Sequence, residues 1–193
     1  MNATRPWIDR WRSRHVLAPW LFILAVFWGS LRLLGREWLS DSGFGVWTGA
    51  QTLHTSQWMA DPYTFTHVLH GVLFYWMLLP FRRRWTLEHR FLAATLIEAA
   101  WEILENTPLV IERYRNNTMS LDYYGDSILN ATCDLFAALF GFGLAARFSW
   151  KWVLLMAVIV ELALAYWVRD NLTLNVLMFL CPLDSLKQWQ MGG

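Results

Sequence analysis

The sequence predicts an all-α integral membrane helical bundle with about five transmembrane helices, and three observations carry that prediction. Apolar residues make up 56% of the 193 residues and charged residues only 16%, against roughly 25% charged in an average soluble protein. There are 14 tryptophans, a residue that gathers where lipid meets water. Five apolar stretches approach the roughly 20 helical residues that a hydrocarbon core requires. The net charge of +1 gives no reason to expect a nucleic-acid partner; the expected partner is the lipid bilayer.

The first span is expected at 16–34. It follows an Arg-rich start, but it is too long for a signal-peptide core and no A-x-A site follows it, so it reads as uncleaved. The second, 61–81, opens on Asp61-Pro62, a capping side chain followed by a residue with no N–H to satisfy. The third, 90–107, is stopped by Pro108. The fourth and fifth are expected at 126–146 and 150–168. Residues 36–60 form an external loop whose Trp38, Trp47 and Trp58 suit an interfacial helix. After Asn171 comes an apolar run of about 11 residues, too short to span. It is expected to lie in the interface or fold back on the bundle, inside an external C-terminal segment, 171–193. Without an internal repeat, residues 1–193 read as one membrane domain. Cys133 and Cys181 form no CxxC pair and no disulfide framework.

Orientation follows from the basic residues of short loops. Arg5, Arg10, Arg12, Arg14, Arg82, Arg83, Arg84, Arg90, Arg147 and Lys151 fall on one side; Arg36, Arg113, Arg115, Arg169 and Lys187 fall on the other. Ten against five places the N-terminus in the cytoplasm and the C-terminus outside, as in a multi-pass protein of the bacterial inner membrane.

Three spans carry polar stripes in the same outer half. His67 and His70, three residues apart, share a helix face. Glu98, Glu102 and Glu105 descend the third span on one stripe, and Asp126, Asn130 and Asp134 do the same on the fourth. An ionised group at a helix centre costs about 2.5–3.5 kcal/mol on insertion scales, so these stripes must face one another or water. Bland readings stand beside each residue. Asp126, after Gly125, is placed to cap a helix. Asn130 can bond a neighbouring helix. Glu105 sits at the water boundary, and Glu98, nearer the midplane, is expected to be protonated. His70, beside Gly71, suits a helix crossing. Glu161 in the fifth span reads as a neutral acid or a member of a proton path, and Arg32 as a residue that snorkels outward or balances the carboxylates of the site.

The segments DPYTFTHVLHGVLFYW, LIEAAWEILENTPLVIERYR, SLDYYGDSILNATCDLFAALFGF and VRDNLTLNVLMFLCPLDSLKQWQ resemble a family of uncharacterised bacterial inner-membrane proteins of unknown function. The resemblance covers nearly everything from Asp61 to the C-terminus. More distantly, the order His, Glu, then Gly-Asp-x-x-x-Asn is similar to that of VanZ-like membrane proteins. Here it falls on His67 or His70, Glu98 or Glu102, and Gly125-Asp126 with Asn130. VanZ-like proteins are linked to glycopeptide-antibiotic resistance, and neither family implies a substrate.

The residue types permit a metal-assisted or acid–base reaction on an envelope or lipid-linked substrate at the outer mouth of the bundle. His67, His70, Glu102 and Asp126 are the candidate ligands of a divalent metal ion. Glu102, Asp126, Asn130 and Asp134 are the candidate catalytic residues, the last two orienting the others. Glu102, level with His70 and Asn130, is expected to be the working carboxylate. Two other readings fit the same residues: a non-enzymatic assembly factor whose stripes are interhelical hydrogen bonds, and a small proton- or ion-coupled carrier using Glu98 and Glu161. The topology is directly testable. Reporter fusions after Arg84 and Lys151 should read as cytoplasmic, and fusions after Tyr114 and at the C-terminus as external. A cytoplasmic C-terminus would overturn the five-span arrangement.

Overall fold

The computed structural model describes residues 16–41 and 43–192. Arg5, Arg10, Arg12 and Arg14, which weigh in the expected orientation, lie outside these residues. Among the described residues the chain is all-α, with eight helices and no strand. In order they are α1 (Leu17–Leu33), α2 (Thr64–Met77), α3 (Leu87–Glu105), α4 (Pro108–Asn117), α5 (Ile128–Arg147), α6 (Trp150–Trp167), α7 (Leu172–Leu180) and α8 (Asp184–Gln190).

Each of the five expected spans contains a helix, with ends moved for local reasons. α2 has 14 residues, about 21 Å at 1.5 Å per residue, and is continued by a 3₁₀ turn over Leu79–Arg83. Pro80 lies inside that turn and supplies no N–H to an α-helical ladder. Thr86 caps α3 by accepting from the His89 N–H. Pro108 stops α3 and also opens α4, a position where its missing N–H costs nothing; α4 has no counterpart among the expected spans. Ser127 caps α5 by accepting from the Asn130 N–H, so the capping role expected of Asp126 belongs to its neighbour.

Among the described residues two helices, α5 and α6, are long and apolar enough to cross a membrane, which falls short of the five spans expected; α1 is apolar but has only 17 residues. α3 has 19 residues, but Glu88, Arg90, Glu98, Glu102 and Glu105 lower its apolar character. α5 and α6 differ in surroundings. α5 is the hub, with α1, α2, α3 and α6 packed on it. In contrast, 11% of the most apolar stretch of α6 is buried, and Trp150, Trp152, Leu155, Ile159, Leu162 and Trp167 are exposed.

The core has two layers. Leu24, Phe27 and Leu31 of α1 meet Ala99 of α3 and Ile128, Ala131 and Leu135 of α5. Further along, Val72 packs with Ala145 and Val153, and Leu78 with Ala94 and Phe142. Between these layers α2 makes backbone contact with α5. A Cβ placed on Gly71 would collide with the Ala138 carbonyl, and one on Gly141 with the Val68 carbonyl. Small residues at both positions are therefore required for the two helices to approach so closely.

The loop at 36–60 does not form the expected interfacial helix; its backbone instead covers the start of α5. The N–H groups of Ser127, Ile128 and Leu129 donate to the carbonyls of Ser56, Glu37 and Trp38 at 2.9, 2.8 and 3.2 Å. These are donors that a helix N-terminus leaves without intrahelical partners. Arg32, expected to snorkel, donates to Glu37 Oε2 at 2.8 Å and to the Arg36 carbonyl at 2.7 Å.

After α6 the chain turns back. Glu161, expected to serve as a neutral acid or in a proton path, accepts the N–H groups of Leu172 and Thr173 at 3.0 and 3.1 Å. It thus caps the start of α7 with a carboxylate, the charge that a helix N-terminus favours. Asn171 adds a second cap by accepting from the Leu174 N–H. Asp170 accepts from the Asn171 N–H and from Gln190 Nε2, both at 3.0 Å, and so ties α8 to this corner.

Substituting Ala at Gly71 or Gly141 should force α2 and α5 apart and cost roughly 1–3 kcal/mol, the usual range for overpacking. The check is the melting temperature of the detergent-purified chain, and no loss at either position would contradict the backbone contact. Asp170 makes stability depend on pH. Burial pushes its carboxyl from 3.8 up to about 6. Its protonated form is therefore favoured by folding, and that contribution is present below pH 3.8 and lost as pH rises through about 6. Melting temperatures measured across that window should fall with rising pH in the unaltered chain, and less steeply in Asp170→Asn.

Candidate functional site

α2 and α3 build the site together, and α5 closes it. His67 Nδ1 lies 2.7 Å from Glu98 Oε1 and 3.1 Å from Glu102 Oε1. His70 Nδ1 lies 3.2 Å from both oxygens of the same Glu98. A carboxylate only accepts, so this network assigns the proton of each imidazole to Nδ1. The opposite nitrogen of His67, Nε2, stands 4.0 Å from Asp134 Oδ2 on α5. The two rings pack edge to face with centroids 4.9 Å apart, and Trp101 holds His70 from the side at 6.1 Å. Glu98 and Glu102 are 0% and 1% exposed. Glu102 Oε1 forms no hydrogen bond despite its 3.1 Å approach to His67, because the Nδ1 proton is directed at Glu98. Asp134 Oδ1 is likewise buried without a hydrogen bond.

Asp126 belongs to a separate knot at the rim. Asn106 Nδ2 donates to Asp126 Oδ2 at 2.6 Å, and the Asp126 N–H donates back to Asn106 Oδ1 at 2.7 Å. The Tyr123 hydroxyl donates to both Asp126 oxygens at 3.1–3.2 Å. Burial, and then the nearby Asp126 carboxylate, hold the Tyr123 phenol well above its usual range, so it remains a donor. Gly125 makes the knot possible. Its φ is +91°, and a side chain there would strike Arg36 and Asn106. Arg36 donates to the Tyr124 carbonyl beside it. Asn130 points elsewhere: its Nδ2 donates to the Trp58 carbonyl at 2.8 Å and holds the covering loop.

A cavity of about 1300 Å³ opens onto these groups. His67, His70, Glu105, Asp126 and Asp134 line its polar part, and Trp101, Val176, Phe179 and Leu180 its apolar part. Glu98 and Glu102 stand behind the imidazoles. Among the described residues seven carboxylate residues line the cavity (Glu37, Asp41, Asp61, Glu105, Asp122, Asp126 and Asp134), with Arg36 as the one guanidinium.

Of the residues singled out in the sequence, the structure brings His67, His70, Glu102 and Asp134 together. Asp126 shares the cavity, but its carboxylate is engaged by Asn106 and Tyr123. Asn130 is a loop-holding residue rather than one that orients the histidines. Glu98, placed in the sequence as a protonated bystander near the midplane, is the carboxylate that touches both imidazoles. Glu105, expected at the water boundary, is part of the cavity wall. The Glu98–Glu102 spacing marks a stripe, but nothing local states which member lies level with His67. Asn106 and Tyr123 were not singled out; the one hint lies in their positions beside the Asp126 turn and the end of α3.

Fold and site together define an all-α protein with a buried His–carboxylate cluster. A family model described as "Protein of unknown function (DUF2585)" matches residues 31–192, and the chain belongs to that family. The match begins near the end of α1 and contains every residue of the site. A UPF0314 protein of Sinorhizobium fredii is 46% identical over 187 residues, covering 95% of both chains. A UPF0314 protein of Brucella anthropi is 42% identical over 192 residues, covering 99% of this chain and 97% of its own. Another, from Sphingopyxis alaskensis, is 40% identical over 178 residues, covering 89% and 92%. No solved structure matches the chain.

Proposed function

We propose that the chain is a five-span bacterial inner-membrane protein. In this reading His67 and Asp134 exchange a proton with an amphiphilic envelope or lipid-linked substrate at the outer mouth of the bundle. The observation that carries the reading is the two-sided setting of His67. Its Nδ1 is held by Glu98 at 2.7 Å, and its Nε2 faces Asp134 in the cavity wall. An imidazole fixed at one nitrogen by a carboxylate presents the other in a defined orientation and gains stabilisation when protonated, as general acid–base chemistry requires. Asp134 is placed to take or return the proton.

Several features support a membrane setting. α6 exposes an apolar surface along its length, α5 has the length and apolar character of a span, and the α2 segment with its flanking turns fills 61–83. The expected orientation, with the N-terminus inside and the C-terminus outside, puts the cavity at the external face. An amphiphile suits that cavity because polar groups and the apolar side chains of Trp101 and α7 line one space. The His, Glu, Gly-Asp-x-x-x-Asn order that resembles VanZ-like proteins falls on His67 or His70, Glu98 or Glu102, and Gly125-Asp126 with Asn130.

A non-enzymatic assembly factor is the second reading, favoured by the Asn106–Asp126 and Asn130–Trp58 bonds, which serve structure alone. A carrier loses one of its two midplane acids, because Glu161 is engaged in capping α7. Lipid profiling of a deletion strain complemented with His67→Ala or Asp134→Asn separates the first two. The enzyme reading expects the same accumulated envelope lipid or lipid-linked compound in the deletion and in both variants, at unchanged protein level in the membrane. A normal profile in His67→Ala would reject it.

A further inference from the structure

Glu98 and Glu102 are buried with two imidazoles as their neighbours. Among the described residues no lysine or arginine is ion-paired to Glu98, Glu102 or Asp134. We propose that one divalent transition-metal ion binds between α2 and α3, held by Nδ1 of His67, Nδ1 of His70, Glu98 and Glu102, with Glu105 within reach. The cluster overlaps the site proposed above, but the proposal does not rest on that reaction: the ion occupies the Nδ1 side, and the reaction faces Nε2.

Three observations carry the proposal. Donor atoms of His67, His70 and Glu98 all lie within 4.8 Å of one another, and so do those of His67, Glu102 and Glu105. Ligands on opposite sides of one ion stand roughly 4–5 Å apart when each bond is about 2.0–2.2 Å. Glu102 Oε1, sealed from solvent and without a hydrogen bond, is aimed at the same point as the His67 Nδ1 that it approaches at 3.1 Å. Finally, two imidazoles with carboxylates form a donor set of N and O atoms suited to zinc, manganese, iron or cobalt, with no thiolate among them. This set replaces Asp126, which Asn106 and Tyr123 already engage, with Glu98.

Each imidazole carries one proton, so binding at Nδ1 moves it to Nε2 and gives a metal-bound Nε2–H tautomer with no net proton release from the histidines. The Nε2 proton of His67 then faces Asp134 in the cavity wall, as the outer partner of a metal-bound histidine does. The ion thereby decides whether His67 presents an acceptor or a donor to that space.

The full-length chain, purified in detergent and stripped with chelator, is loaded separately with Zn²⁺ and Co²⁺, desalted and analysed for bound metal. The expected result is one ion per chain and visible Co²⁺ absorption of N/O coordination without thiolate charge transfer. Glu98→Gln and His70→Gln should weaken binding at least tenfold while eluting as single species, and Asp126→Asn should bind as the unaltered chain does. Because the Co²⁺ spectrum is read on the unaltered chain, a variant that fails to fold does not obscure the result. Absence of bound ion in the unaltered chain overturns the centre, and so does full retention in Glu98→Gln with loss in Asp126→Asn. If no ion binds while His67→Ala still reproduces the deletion's lipid profile, the metal centre alone is rejected and the proton-transfer reading stands.

Discussion

The backbone contact between α2 and α5 sets the register on which the site depends. Gly71 lies against Ala138 and Phe142, and Gly141 against Val68. Both helices run in the same direction, so a step of one turn back from Gly71 and from Ala138 brings His67 level with Asp134. With α2 seated this closely, its other side carries His67 and His70 to Glu98 of α3. A larger residue at the crossing would widen the gap and move the imidazoles relative to both carboxylates. Two positions without side chains thus control a distance measured at others.

The remaining architecture follows from the need to satisfy buried polar groups. The N-terminus of α5 is covered by loop carbonyls from Glu37, Trp38 and Ser56, and its first turn is tied to Trp58 through Asn130. The N-terminus of α7 is met by the side chain of Glu161 from inside the preceding helix. The end of α3 and the turn before α5 are joined by the reciprocal Asn106–Asp126 pair. Each arrangement lets a helix end inside the protein, which allows the polar stripes to come together without leaving bare backbone. The loop at 36–60 is therefore part of the site's construction and not merely a connection.

The same accounting distinguishes the knot at the rim from the cluster beneath it. Asp126 has donors for both oxygens, whereas Glu102 and Asp134 each retain a buried oxygen without a hydrogen bond. A satisfied carboxylate holds structure; an unsatisfied one, close to an imidazole, has capacity left for a proton or a cation. On this ground the proposed proton transfer and metal binding are assigned to the His67–Glu98–Glu102–Asp134 group.

The sequence by itself determined the all-α class, the positions of five helices to within a few residues, and the polar stripes on α2, α3 and α5. These depend on local composition, helical periodicity and the backbone limits of proline, all of which neighbouring residues express. Tertiary structure alone decided the partners. Glu98 rather than Glu102 meets both histidines because the axial offset between α2 and α3 is set by distant packing. Asn130 turns to Trp58 and Glu161 to α7 because a loop and a returning helix arrive there from elsewhere in the chain. Helical spacing states which residues share a face, but the level at which two faces meet comes from contacts such as Gly71 with Ala138, between residues far apart in the chain.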